Sequence, residues 1–419
     1  MPENTPLRPK LRPLDSRWVT SQGDTYLLLR DPQGISDKEL LVPQAITPLL
    51  SLCDGKRDIP SLQIALELLT GLHLSRERIE QLMQQFKEAL FLDDVDFDSA
   101  CEAMLKEYLE VPYRKPALAG TTYPQDPHEL RERLDEFCNS SANPGSQEEE
   151  DGKPVMGLIS PHIDYQRGAH IYASVWLRAA ETVRQRDLVI ILGTDHTGGP
   201  GRLTLTRQNY ATPWGTLPTA QDMVNELAGI LGKEQAFDEE IHHIKEHSIE
   251  LALVWLHYLL GDTHCQVLPI LCGSFAPQIQ DGTIPWNNEA AGKAIAMLRG
   301  LVKEHNAFVV AAGDLAHVGP AFGDRLPMDA VGRANLRGID EALLSAICAG
   351  DREEFFRNIQ REGDRYKICG LSPIYLALSI LEDIKGEVTG YQHCPADAQG
   401  DSLVSIAGVL LKERDSHPS

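Results

Sequence analysis

Three short apolar runs, each stopped by a polar cluster, constrain this sequence more than any other feature. Val155–Ser160 (VMGLIS) runs into Pro161-His162-Ile163-Asp164-Tyr165. Residues 187–193 (DLVIILG) run into Thr194-Asp195-His196, and Phe308–Ala312 (FVVAA) runs into Gly313-Asp314-Leu315-Ala316-His317. Runs this short and this uniformly apolar are the pattern of strands covered on both faces. Further strands are expected at 203–206, 266–270 and 403–409, with helical stretches near 168–181, 219–231, 249–260, 287–301 and 336–348. The alternation predicts a layered α/β fold around a buried sheet. Ligands of open α/β sheets bind beyond the carboxyl ends of the strands. Three strands are therefore expected to deliver His162, His196 and His317 to one rim, with aspartates beside them.

The front of the chain follows another pattern. Residues 26–30 (YLLLR) and 39–42 (ELLV) read as strands, followed by a helical stretch with Ile46, Leu49, Leu50 and Leu52 that ends at the turn Asp54-Gly55. Asp58 is placed to cap a helix with Pro60 in its first turn. Ser75 is placed to cap another, in which Ile79, Leu82, Met83, Phe86 and Leu90 share one face. Residues 90–92 return as a strand or loop, and 97–109 read as a helix. This is a winged-helix-sized α+β module. Residues 111–116 read as a linker, and 139–153 (NSSANPGSQEEEDGK) as an exposed loop of the body. The expected division is a front module over 1–111 and an α/β body over 112–419.

Composition narrows the function classes. The 419 residues include 61 acidic and 39 basic side chains, a net charge of −22. That balance repels phosphate backbones and anionic lipid, so neither nucleic acid nor a membrane surface is expected as a partner. No apolar stretch reaches the roughly 18 residues of a membrane span. The N-terminal residues MPENTPLRPKLRPLDSRW lack a secretory apolar core, so a cytoplasmic protein is expected. Eight cysteines are scattered without a CxxC pair, which disfavours zinc ribbons and thioredoxin-type sites. No GxGxxG follows a strand, and no GxxxxGK[ST] is present.

Convergent histidines suggest a metal. Imidazole suits iron, copper, zinc and nickel, and aspartate supplies a harder ligand. Spacing leaves the third ligand open among Asp314, His317 and Asp195, and a metal-free acid/base pair of His317 and Asp314 fits equally well. Glu246-His247-Ser248 precedes a helix: Glu246 can cap it, with His247 turned into the rim or serving the cap alone. His242 and His243 read as surface residues.

Two resemblances add to this. The text LLLRDPQG…LLVP…LLSLCDGKRDIPSLQIALELL…ALFLDD resembles the PqqD-like family, small modules that recognise a peptide by adding it as a strand to a sheet edge. The competing reading is a helical packing or dimerisation domain. From about Pro116 onward, AGTTYPQDPHELRERLDEF, SPHIDY, LGTDH, TPWG, EHSIE, VLPIL, GDLAH and YKICG resemble, in order, the segments of the Memo family, called AmmeMemoRadiSam system protein B in prokaryotes.

The Memo fold is similar to that of class III extradiol dioxygenases, enzymes that use non-haem iron(II). The resemblance implies a metal site of His162, His196 and Cys369, with His317, Asp314 and His247 as catalytic or pocket residues. Iron is the implied metal, with copper or zinc as alternatives. The implied activity is a dioxygenase-like oxidoreductase acting on a small molecule or peptide. The alternative is a non-catalytic metal-binding adaptor or peptide-docking protein. The family's composite name also implies a radical SAM protein as a partner in a modification pathway; this sequence has no CxxxCxxC motif of its own. The family's PHAGY, GPSHH and CGRHP are PHIDY, GTDHT and CGLSP here, so the surroundings of the ligands differ.

Overall fold

The computed structural model describes residues 7–21, 23–141 and 152–414; most of the acidic loop expected at 139–153 lies outside them. The chain divides into two compact units, Met1–Glu110 and Val111–Ser419.

The first unit holds a three-stranded antiparallel sheet rather than two strands. β1 (Asp15–Ser21) pairs along its length with β2 (Asp24–Arg30), which pairs with β3 (Leu40–Pro43). β1 escaped sequence reading because it is held by ladder hydrogen bonds and buries none of its side chains. Asp58 caps the helix Ile59–Thr70 by accepting from the Ser61 amide, and Ser75 caps Arg76–Glu88 by accepting from the Arg78 amide. Ile79, Met83 and Phe86 meet Leu49, Leu62 and Leu66 in the core. Leu90 is not part of that helical face: the helix stops at Glu88, and Leu90 turns at φ +56°. The helix Val95–Glu110 closes the unit.

The second unit begins where a linker was expected. Tyr113–Arg114 is instead a strand, β4, and the Arg114 side chain is buried. The strands that follow are β5 (Val155–Ser160), β6 (Leu188–Thr194), β7 (Leu203–Leu205), β8 (Asn209–Thr212) and β9 (Gly215–Leu217). Then come β10 (Gln266–Cys272), β11 (Phe308–Ala312), β12 (His317–Val318), β13 (Ile384–Pro395) and β14 (Leu403–Glu413). An eight-stranded sheet runs β12-β14-β5-β11-β6-β10-β7, with β13 paired to β14; β4, β8 and β9 form a small second sheet. β5, β11, β6 and β10 are parallel and central, while β14 and β7 flank them antiparallel.

The central strands are apolar on both faces because both are covered. Leu188, Ile190 and Leu192 of β6 enter one core, with the helices Gln221–Leu231, Glu289–Glu304, Ala330–Cys348 and Leu371–Ile380. Val189 and Ile191 enter the other, with Tyr165–Arg184 and Ser248–Leu260. β13 was not anticipated: its sequence IKGEVTGYQHCP is polar, half-exposed and broken by two glycines, yet it pairs with β14 from end to end around one register shift between Val388 and Gly390. The result is an α/β unit whose parallel strands all end at one rim. Among the described residues, no helix is long and apolar enough to cross a membrane.

Candidate metal centre

Five chain segments converge at that rim. His162 stands two residues past β5 and His196 two past β6. Asp314 stands two past β11, and His317 opens β12. His247 immediately precedes the helix Ser248–Leu260, and Cys369 lies just before Leu371–Ile380.

The cysteine arrives through a close backbone approach. A Cβ at Gly313 would lie 2.4 Å from the Gly370 Cα, and one at Gly370 would lie 2.6 Å from the Asp314 carbonyl oxygen. Two glycines therefore let the loops touch, and the Gly370 amide donates to the Asp314 carbonyl at 2.9 Å. A second fastening runs from the His317 amide to the Tyr366 carbonyl at 2.7 Å. Cys369 Sγ consequently sits 3.2 Å from His162 Nε2.

The four histidines share one hydrogen-bonding pattern. His162 Nδ1 faces the Ala312 carbonyl at 3.2 Å, and His317 Nδ1 faces the Lys367 carbonyl at 3.2 Å. His196 Nδ1 and His247 Nδ1 face the two oxygens of one carboxylate, Glu246, at 2.9 and 3.1 Å. With Nδ1 donating to an oxygen, a neutral imidazole keeps a lone pair on Nε2; His196, whose pKa is raised, must first give up its Nε2 proton. The donor atoms of His162, His196 and His247 lie within 4.8 Å of one another, and so do those of His162, Asp314 and Cys369. The His196 and His247 rings stack at 4.8 Å, and each meets His162 edge-on at 5.1 Å.

Electrostatics separate the members. Burial, reinforced by His196 and His247, drives the His162 pKa well below the ordinary value. Loss of hydration pushes His196 the same way, but the Glu246 carboxylate and Cys369 outweigh it and raise its pKa. Burial holds His317 down to about 4 and Asp314 up to about 6. Burial also raises the Cys369 thiol, against His196, which lowers it. Asp314 braces His162 rather than His317: its Oδ1 accepts from the His162 amide at 2.8 Å.

These groups floor a cavity of about 680 Å³, which His317 also lines. Leu118, Ile163, Leu251, Phe322 and Val404 supply apolar wall, while Asp164, Arg167 and Lys367 supply charge.

All six residues singled out from the sequence thus line one cavity, and the structure corrects their neighbours. Asp195 turns away from the histidines to His242 Nδ1, at 3.0 Å. His242 and His243 are buried rather than surface residues: Asp195 holds the first, and the second meets the Tyr210 hydroxyl at 2.6 Å and the Thr204 carbonyl at 3.0 Å. Glu246 is not the cap residue: His247 holds that position, without a side-chain cap bond, and Glu246 just before it accepts through Oε1 from the His247 and Ser248 amides at 2.7 and 3.0 Å. What sequence reading missed is its second duty, the alignment of two imidazoles. The available signal was an acid directly before a histidine at a helix start.

Comparison with known proteins gives a consistent result. The profile of a family described as "Memo-like protein" matches residues 114–410. A "MEMO1 family protein" of Aquifex aeolicus is 27% identical over 413 residues, covering 97% of this chain and 100% of its own. Proteins of that description from Methanosarcina acetivorans (28% over 310 residues, 71% of this chain and 99% of its own) and Thermus thermophilus (26% over 344 residues, 81% and 94%) are similar too. The Aquifex alignment extends over both units.

Proposed function

The chain belongs to the Memo-like family, and from that membership we propose that its second unit is a metal-dependent redox protein. His162, His196 and Cys369 would hold the metal. Iron fits best, with copper or zinc as alternatives, since thiolate and imidazole together accept all three. The observation that carries this is the closeness of the donors: those of His162, His196 and His247 lie within 4.8 Å of one another, and Cys369 Sγ lies 3.2 Å from His162 Nε2, while an oxygen at Nδ1 holds each imidazole, as is usual for metal-ligating histidines. A metal bound there would supply a Lewis acid and, for iron or copper, a one-electron couple.

The chain's own residues do the rest. His317, neutral at pH 7 with its pKa near 4, offers Nε2 as a proton acceptor at the cavity wall. Asp314 fixes the backbone of His162, and Glu246 fixes the rings of His196 and His247. The apolar walls exclude water from a small-molecule or peptide-borne substrate. The chemistry would be related to that of extradiol dioxygenases, modified by thiolate in place of carboxylate. The first unit would act as a PqqD-like docking module, with a radical SAM protein as the partner supplying radical chemistry.

The test is elemental analysis of protein purified without chelators, for wild type and Cys369→Ser. The variant is expected to lose most of its metal; equal content in both overturns the ligand set. Oxygen uptake by the iron-loaded protein over a panel of catechols and peptides then tests turnover.

A second reading, a metal-binding adaptor without turnover, is favoured by one observation. His247 stands as close to His162 and His196 as a ligand would, and four donors close a tetrahedral shell. Cobalt(II)-substituted protein distinguishes the two: added azide changes the visible spectrum of an open site and leaves a closed one unchanged.

A further inference from the structure

We infer that the cavity above the histidines takes a small organic carboxylate, held at the mouth by Arg167 and Lys367, with its apolar body along the walls. This deepens the proposed function, and it rests on that reading only for what the far end of the ligand meets.

The first observation is a local balance of charge. The chain carries −22, yet in this cavity the two cations equal the two carboxylates in number. Its two carboxylates are already engaged. Asp164 accepts from the Arg167 amide and from Arg167 Nε. Asp314 lies at the base and accepts from the His162 amide. An incoming anion therefore meets cationic N–H groups and no unengaged carboxylate.

The second observation is preorganisation. Asp164 holds Arg167 Nε, and the Pro395 carbonyl holds Nη1 at 3.1 Å. Among the described residues Nη2 has no hydrogen-bond partner, and the side chain is 38% exposed. A guanidinium fixed at two corners has already lost its rotamer freedom, so a ligand does not bear that cost. Lys367 is pinned through its backbone: it sits at φ +52°, its amide donates to the Asp364 carbonyl at 2.9 Å, and its own carbonyl accepts from His317. Its Nζ meets Asp324 at 2.6 Å, which uses one of three donors.

The third observation is size and lining. A cavity of about 680 Å³ is that of a small organic ligand. An inorganic anion would leave the apolar wall of Leu118, Ile163, Leu251 and Phe322 wet. A wholly apolar molecule would leave the spare N–H groups of Arg167 and Lys367 facing it without acceptors. A carboxylate can accept from the spare Arg167 Nη2 and from Lys367 Nζ with one charge, whereas a dianionic phosphate would crowd the Asp164 carboxylate beside it.

The experiment is calorimetric titration of the full chain, stripped of metal, with 3-phenylpropionate, its neutral amide and phenyl phosphate. The carboxylate is expected to bind roughly tenfold more tightly than the amide, with affinity falling as salt rises. Arg167→Gln is expected to abolish the difference and Lys367→Gln to reduce it; the second variant reads the same dependence if the first does not fold. Equal binding of acid and amide, tighter binding of the phosphate, wild-type discrimination in either variant, or no binding of the acid at millimolar concentration overturns the inference. Because the protein is metal-free, failure here leaves the metal centre standing. Failure of the metal analysis likewise leaves this titration interpretable.

Discussion

Glu246 and Glu250 stand four residues apart around the start of one helix, each with its side chain largely covered, and they are neutralised by opposite means. Glu250 receives the Arg114 guanidinium, the Tyr123 hydroxyl and the amides of Ala117 and Leu118, the amides at 2.9 Å. Arg114 also donates to the carbonyls of His243 and Glu246, at 2.8 and 3.0 Å. Glu246 receives two imidazoles and three amides. A guanidinium has no lone pair to offer elsewhere, so the Glu250 network is closed and acts as a clamp. An imidazole held at Nδ1 presents Nε2 outward, so the Glu246 network is open on the cavity side. Asp314 is a third case, buried with backbone amides and no permanent cation.

The sharpest way to break this comparison is Glu250→Gln. It strands the Arg114 charge in the interior and is expected to cost about 3–5 kcal/mol in urea unfolding, with metal per folded chain unchanged. Loss of metal in step with stability would erase the distinction between clamp and site.

Asp314→Asn comes next. The folded carboxyl titrates near 6 against an ordinary 3.8, so the folded state binds the extra proton between those values. Its ionisation therefore penalises the folded state as pH rises through that window. Metal-free wild type should lose about 2–3 kcal/mol relative to the variant from about pH 4 to 7. A flat difference would mean that Asp314 has a counter-charge after all.

Glu246→Gln keeps an acceptor for the amides but weakens the hold on two rings. Metal affinity is expected to fall roughly 10–100-fold, with a smaller change in stability than for Glu250→Gln. The smallest expected effect on the metal is that of His317→Ala, which should leave metal content unchanged and, on the proposed reading, act on turnover alone. Metal loss there would move His317 into the donor set.

Legibility followed the range of the interactions. The central strands and the histidines at their ends could be read because uniform apolar runs and the residues that stop them are neighbours in sequence. β1 and β13 could not, since strand pairing holds them without a continuous apolar face. His242 and His243 were misplaced for a related reason: adjacent histidines look solvated until Asp195, just past β6, and Tyr210 of β8 reach them. Arg114 looked like linker because its partner Glu250 lies 136 residues away.

By itself, then, the sequence determined a layered α/β body and the rim at which its chemistry collects, because burial on two faces and the ends of strands are local properties of a chain. Spacing left the third ligand open, and resemblance rather than physics singled out Cys369 from eight cysteines. Only the tertiary structure brought that thiol to His162, turned Asp195 away and divided two neighbouring glutamates between clamp and site. Those outcomes depend on which distant donor each side chain meets once the sheet has formed, and on two glycines that let backbones touch where any Cβ would hold them apart.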